Sequence, residues 1–267
     1  MVEAPQEAGS ETTLDAMPRA ALVTGAAVRI GRSIAEALAH DGWAVAVHHR
    51  GPGDAAGDVV AGIESAGGRA VALRADLADE AEVETLVARA SEALGPLGCL
   101  VNNASPFEND DLQSADRASW DLHMEANLRA PFVLTQKFAA ALPADAEGCI
   151  VNMLDQRVWN LTPHFMSYTL SKAGLWTLTR TAALALAPRI RVNGIGPGPT
   201  LPSARQSPEH FAAQYEATPL KRPIAPASIA DGIRFILGAR ALTGQMIALD
   251  SGQHLGWAMP QGEVILE

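Results

Sequence analysis

Tyr168 and Lys172, in the stretch SYTLSK, stand four positions apart. On a helix that spacing stacks the two side chains one turn apart on the same face. A phenol ordinarily titrates near pH ~10, too high for ready proton exchange at neutral pH. A neighbouring ammonium favours the phenolate, so the pair is expected to act as a general acid and base. About a dozen residues earlier, Asp155 ends the apolar run in VNMLDQ. A carboxylate is a poor partner for a carbonyl oxygen, but it suits a nitrogen heterocycle whose N–H groups need an acceptor or whose ring nitrogen needs a proton. The plainer reading is an aspartate in a peripheral loop.

A second constellation lies near the start of the chain. TGAAVRIG, residues 24–31, joins an apolar run to a helical pattern. Gly25 permits a tight turn and Gly31 a close helix approach, while free N–H groups at a helix start attract a diphosphate. With two glycines rather than three, an ordinary strand-to-helix turn explains the pattern as well. Arg29 adds a cation where the helix dipole is already positive, which is unfavourable by about 0.3–1 kcal/mol unless an anion arrives. After the next apolar run come His48, His49 and Arg50, with no acid before Asp54. A carboxylate at that place would accept ribose hydroxyls and repel a 2′-phosphate. Its replacement by Arg50 favours NADPH over NADH; a solvated surface arginine is the alternative.

The elements that must position these residues alternate regularly. Short runs rich in Val, Ile, Leu and Ala, at 20–24, 44–48, 70–74, 99–103, 149–154, 190–195 and 246–249, read as strands of a parallel sheet covered on both faces. Helical patterns over 31–40, 58–65, 80–94, 120–141, 165–187 and 227–237 lie between them. This alternation predicts a doubly wound α/β Rossmann fold, a single domain over residues 18–267 with a central seven-stranded parallel sheet, behind a flexible acidic tail at 1–17. Residues 196–207, GPGPTLPSARQS, form the one long irregular piece, either a lid over the ligand or a tolerated surface insertion.

Composition narrows the class of function. The 267 residues carry 20 Lys plus Arg against 30 Asp plus Glu, a net charge of −10, without long runs of either sign. Nothing in that balance invites nucleic acid or an anionic membrane. An anionic ligand must therefore be held by a few placed cations and backbone N–H groups. Two cysteines, Cys99 and Cys149, open apolar runs and read as buried thiols in a reducing compartment. The first residues lack a basic and apolar leader, and no apolar segment reaches the about 18 residues of a membrane span, so a cytoplasmic protein is expected.

In order along the chain, TGAAVRIG, Asp76-Leu77, NNAS at 102–105, Asn127, Tyr168 with Lys172, GPGPT at 196–200 and the late TGQMIALDSG resemble the short-chain dehydrogenase/reductase family over nearly the whole chain. The resemblance implies that Asp76 meets an adenine, Asn102 shapes the cofactor wall, Asn127 holds a proton-relay water, Tyr168 donates a proton and Lys172 binds the nicotinamide ribose. It adds Ile30, His49, Leu77, Ala104, Pro197 and Gly198 to the cofactor set of Gly25, Arg29, Gly31 and Arg50.

Most members carry a serine where this chain has Asp155. With Arg29 in the turn, the set Asp155, Tyr168 and Lys172 is similar to the pteridine reductase branch, which includes bacterial dihydromonapterin reductases. There Phe107 in NNASPF corresponds to an aromatic that stacks a pterin on the nicotinamide, Ser105 bridges cofactor and pterin, and the arginine matching Arg29 reaches the pterin. The expected activity is NADPH-dependent reduction of a pterin or dihydropterin ring C=N bond, with Asp155 orienting the ring and Tyr168 as acid. A carbonyl reductase of acyl or sugar ketones is the rival enzyme, and an NADPH-sensing protein without catalysis the rival of another class. The resemblance also implies a homotetramer. Trp159, Leu161, His164 and residues 201–215 are expected to line the substrate wall, and the chain end at 256–267 to approach a neighbouring site.

Overall fold

The computed structural model describes residues 17–203 and 206–256. Seven strands form one parallel sheet in the order β3-β2-β1-β4-β5-β6-β7. They are β1 (Ala20–Val23), β2 (Ala44–His49), β3 (Ala70–Arg74), β4 (Cys99–Asn102), β5 (Gly148–Met153), β6 (Ile190–Pro197) and β7 (Met246–Leu249). Strand order reverses between β1 and β4, which pair directly through Ala21 with Cys99, Leu22 with Leu100 and Val23 with Val101. In open sheets of this kind, ligands bind at such a reversal, beyond the carboxyl ends of the strands.

Successive strand residues feed two separate cores, because side chains alternate between the faces. Leu22, Leu100 and Ile150 pack into one layer with Leu86, Leu134 and Phe138, which lie on the helices α3 (Glu80–Leu94) and α5 (Ala130–Ala141). Val23, Val101 and Val151 pack into the other with Ile34, Val59 and Ile233, on α1 (Arg29–His40), α2 (Asp54–Ser65) and α8 (Pro226–Gly238). Burial on both faces is why the strands read as unbroken apolar runs, each fully buried Leu or Ile adding about 2 kcal/mol.

Four local features depart from the sequence expectations. Helix α2 begins at Asp54, where a carboxylate in the first turn complements the helix dipole. The segment read as one helix over 120–141 starts earlier, as α4 (Arg117–Met124), capped by a reciprocal Asp116–Ser119 box. It then passes through a π-turn, Glu125–Arg129, before α5. Beyond the irregular loop lies an extra helix, α7 (Pro208–Glu216), started by the Ser207 side chain accepting from His210 N–H. None of its residues is buried, so it left no apolar periodicity to read.

Met17, assigned to the tail, packs against the core. The rest of that tail, residues 204–205 of the expected lid and residues 257–267 lie outside the described part. Cys99 and Cys149 are free, buried and register partners on β4 and β5. No helix among the described residues is long and apolar enough to cross a membrane.

Candidate active site

Two clefts meet at the carboxyl edge of the sheet. The first, of about 240 Å³, is lined by Asp155, Tyr168 and Lys172 together with Phe107, Arg157, Pro197 and Gly198. The second, of about 460 Å³, runs over the β1–α1 turn between Gly25, Gly31, Arg50, Asp76, Leu77 and Ala104. Arg29, Ile30, Asn103 and Ser105 line both and so mark the junction.

The long helix α6 (Met166–Leu186) carries Tyr168 and Lys172 one turn apart, both almost wholly buried. Asp155 leaves the end of β5 and divides its two oxygens. Oδ1 accepts from Arg157 N–H at 2.8 Å, capping the single 3₁₀ turn Gln156–Val158. Oδ2 accepts from the Tyr168 hydroxyl at 2.8 Å. Lys172 Nζ donates to the Met153 carbonyl at 2.7 Å. The three side chains expected to do acid–base chemistry thus converge, although they come from two elements.

Electrostatics at the phenol differ from the sequence expectation. Burial, and next the Asp155 carboxylate that accepts its proton, push Tyr168 well above the ordinary phenol range. Burial lowers Lys172 to about 8, against the opposing pull of Asp155. The ammonium therefore does not bring Tyr168 down here. A desolvated phenol facing a carboxylate keeps its proton. It is poised as a donor.

The aromatic wall is thicker than expected. Phe107 stacks on Phe165 with ring centroids 4.4 Å apart and planes at 2°, and it meets Tyr168 edge-on at 4.7 Å. The Arg157 guanidinium covers Phe165 at 4.9 Å from the ring centre and donates to Thr162 Oγ1 at 2.8 Å. Neither Phe165 nor Arg157 stood out in the sequence. Phe165 precedes the helix with φ 56°, which aims its ring back toward Phe107 rather than along α6.

The glycine turn has the build of a diphosphate site. A Cβ on Gly31 would lie 2.1 Å from the Gly25 carbonyl oxygen, and one on Gly25, at φ +62°, would lie 3.0 Å from Ala104 Cα. No side chain caps the start of α1. Its first N–H groups have no partner within the helix, which leaves them to a diphosphate, and the turn packs so closely that both positions require glycine.

Arg29 has a different partner from the one expected. Its guanidinium donates to the carbonyls of Pro202 at 2.9 Å and Leu201 at 3.1 Å, linking the turn to the long loop after β6. Its backbone sits at φ 55°, in the left-handed region where glycine is at home. Such an outlier costs about 1–3 kcal/mol, which the surrounding contacts must offset.

Two expected cofactor residues point elsewhere. His49 lies on the other face of β2 from His48, with Nδ1 3.0 Å from the Gly51 carbonyl, and does not line the cleft. His48 takes its place: Nδ1 accepts from Gly25 N–H at 2.9 Å, and Nε2 lies 3.1 Å from the Ala75 carbonyl. Asn102 is likewise turned inward, donating to Asn152 Oδ1 at 2.8 Å. Asn103 faces the clefts and binds the Thr24 carbonyl at 2.8 Å. His48 and His49 are neighbours on β2 and so face opposite sides, and strand alternation was the available signal there; Asn103 lies just past the end of β4, where its N–H donates back to the Val101 carbonyl.

Asn127 lies in the π-turn and is fully buried. Its Nδ2 donates to the Pro106 carbonyl at 3.2 Å and to Ser171 Oγ at 3.1 Å, and its Oδ1 has no partner among the described residues. Asp76 Oδ1 accepts from Ala78 N–H at 3.0 Å. Trp159 and Leu161, expected in the substrate wall, are exposed and do not line the smaller cleft, and neither does His164. Of residues 201–215, Leu201, Ser203, Gln206 and Gln214 do.

A family model described as enoyl-(acyl carrier protein) reductase matches residues 25–254. This chain belongs to the short-chain dehydrogenase/reductase family. It is 33% identical over 244 residues to the 3-oxoacyl-acyl-carrier-protein reductase FabG of Staphylococcus epidermidis, covering 90% of this chain and 100% of that protein. Among solved structures it is similar to FolM alternative dihydrofolate reductase 1 of Brucella canis complexed with NADP, with 46% identity and a TM-score of 0.89 over 93% of this chain and 99% of that one. The Brucella suis FolM structure, also with NADP, is 48% identical with a TM-score of 0.88, covering 93% and 99% of the two chains.

Proposed function

We propose that this chain is an NADPH-dependent reductase of pterins or dihydropterins, of the dihydrobiopterin, dihydromonapterin or dihydrofolate type, in the pteridine reductase branch. The observation that carries the reading is the bond from Tyr168 to Asp155, a carboxylate at the place where carbonyl reductases of the family use a serine. The likeness to the FolM enzymes supports it. Similarity to FabG supports a carbonyl reductase less well, because it is lower in identity and leaves Asp155 unexplained.

NADPH, when bound, supplies the hydride for a ring C=N bond. Its diphosphate would lie on the N-terminus of α1, with Arg50 toward the 2′-phosphate, Asp76 and Leu77 toward the adenine, and Lys172 holding the nicotinamide ribose. Asp155 accepts ring N–H groups and orients the heterocycle. Tyr168, protonated through burial and its carboxylate neighbour, releases its proton to the ring nitrogen as negative charge develops there. Phe107 offers a flat face for stacking. Ser105 and Arg29 line both clefts and would contact cofactor and substrate together. Asn127, through its unpartnered Oδ1, would hold a water on the proton path.

A steady-state panel of dihydrobiopterin, dihydromonapterin, dihydrofolate and a β-ketoester with NADPH and NADH tests the reading. Turnover of the ketoester alone, or equal use of NADH, would overturn it. Exposed Trp120, Phe132, Leu170 and Leu184 on α4, α5 and α6 support a homotetramer built through those faces, which light scattering checks. The buried thiols suit a cytoplasmic location.

A further inference from the structure

Beside the active site, yet lining neither cleft, lies a buried polar chain that the proposed chemistry does not use. Asp110, His123 and Ser167 are 3%, 0% and 1% exposed. Ser167 donates twice to the Asp110 carboxylate, from its backbone N–H to Oδ1 at 3.0 Å and from its hydroxyl to Oδ2. That hydroxyl's one hydrogen is thereby used, so at 2.7 Å from His123 Nδ1 its oxygen must accept. His123 then carries its hydrogen on Nδ1. Its Nε2 is left bare, as required by the Glu108 N–H that donates to it at 3.0 Å. One neutral tautomer satisfies these four bonds. The connectivity runs from aspartate to serine to histidine, with the serine hydroxyl turned away from the imidazole, so the trio is not a nucleophile with its base.

We infer that His123, Ser167 and Asp110 form a positioning relay that clamps the loop carrying Phe107 onto the helix carrying Tyr168. The pinned loop residues, Glu108 and Asp110, alternate along the chain. Glu108 is held by His123 on α4, and Asp110 is held by Ser167, with its own carbonyl accepting from Met166 N–H at 3.2 Å. Phe107 sits next to the first tether, and Tyr168 next to Ser167. The 4.7 Å edge contact between the two rings is thus framed by hydrogen bonds on either side. A single rigid loop position presents the Phe107 face at a constant distance from the phenol. The relay therefore acts on the binding of a flat substrate and hands no proton to the Tyr168 hydroxyl, whose ring His123 meets only edge-on with ring centres 5.9 Å apart.

This inference rests on the reading of Phe107 as the substrate's stacking face, and two amide variants test it. In His123→Asn, the side-chain amide reaches the Nδ1 position and keeps the donor to Ser167 but loses the acceptor for Glu108. In His123→Gln, the amide oxygen reaches the Nε2 position and keeps the loop tether. The expected result for His123→Asn is a rise of about fivefold in the substrate KM, the size of a lost aromatic contact, with kcat and NADPH affinity little changed. Amide exchange across residues 106–112 should quicken as well. His123→Gln should stay near wild type in both measurements. In a Phe107→Leu background, His123→Asn should add nothing to KM. Exchange unaltered in His123→Asn overturns the relay whatever the substrate proves to be. A fall in kcat matching that in kcat/KM also overturns it, by giving His123 a chemical role. Wild-type protein that reduces no pterin overturns the proposed function instead, and the exchange measurement, which needs no substrate, still decides the clamp.

Discussion

His48 ties the β1–α1 turn to the edge of β3, and protonation must break that tie. Its Nδ1 accepts from Gly25 N–H and its Nε2 lies against the Ala75 carbonyl, so the neutral ring donates on one side and accepts on the other. A second proton would set N–H against N–H at Gly25. Burial, the largest influence, lowers the imidazole from 6.5 to about 4. The native state therefore binds fewer protons than the unfolded chain between those values, and stability falls as pH drops from 6.5 toward 4. At about 1.4 kcal/mol per unit, the shift from 6.5 to about 4 is worth roughly 3 kcal/mol in full, of which roughly 2 kcal/mol is lost by about pH 5. His48→Asn keeps an acceptor for Gly25 but does not titrate. Urea unfolding of both proteins across this pH range should show the wild type ahead near neutrality, with the gap closing by roughly 2 kcal/mol near pH ~5. A gap that stays constant with pH would refute the argument, because the histidine would then not be held neutral by the fold.

Tyr168→Phe removes the proton that Asp155 accepts while leaving the ring in place; turnover should drop by about 10²–10⁴, with NADPH affinity by fluorescence titration nearly intact. Unchanged turnover would remove Tyr168 from the chemistry. Lys172, lowered to about 8 by burial, loses its charge as pH rises through that value, so kcat/KM should bend downward there. An alkaline limb that does not move in Lys172→Arg, whose guanidinium stays charged, would belong to another group. Arg29→Gly relieves the left-handed backbone but cuts the link to Leu201 and Pro202. Thermal stability should change by about 1 kcal/mol or less while pterin turnover falls clearly more, and proteolysis within residues 199–203 should quicken.

How much of the site was legible depended on how local its cause is. Tyr168 and Lys172 could be paired from sequence because a helix fixes the geometry of residues four apart. The strands were legible because a sheet covered on both sides forces apolar runs. Which of His48 and His49, and which of Asn102 and Asn103, faces the cleft was not legible in the same way. Alternation says that neighbours diverge, but only the register of β2 against β1 and of β4 against β5 says which one meets the cleft. The extra helix α7 escaped because it buries nothing, and the π-turn at Asn127 because it keeps the apolar pattern of a continuous helix.

By itself, then, the amino-acid sequence determined the alternating α/β order, the glycine-lined turn and the helical pairing of Tyr168 with Lys172, because each is written in residue type and short-range spacing. Tertiary structure alone decided what those groups face. Arg29 reaches carbonyls 172 and 173 positions away, and Asp110 closes on Ser167 across 57. The Tyr168 phenol is held protonated rather than released, because desolvation depends on everything packed around a group and no spacing of neighbours along the chain encodes it.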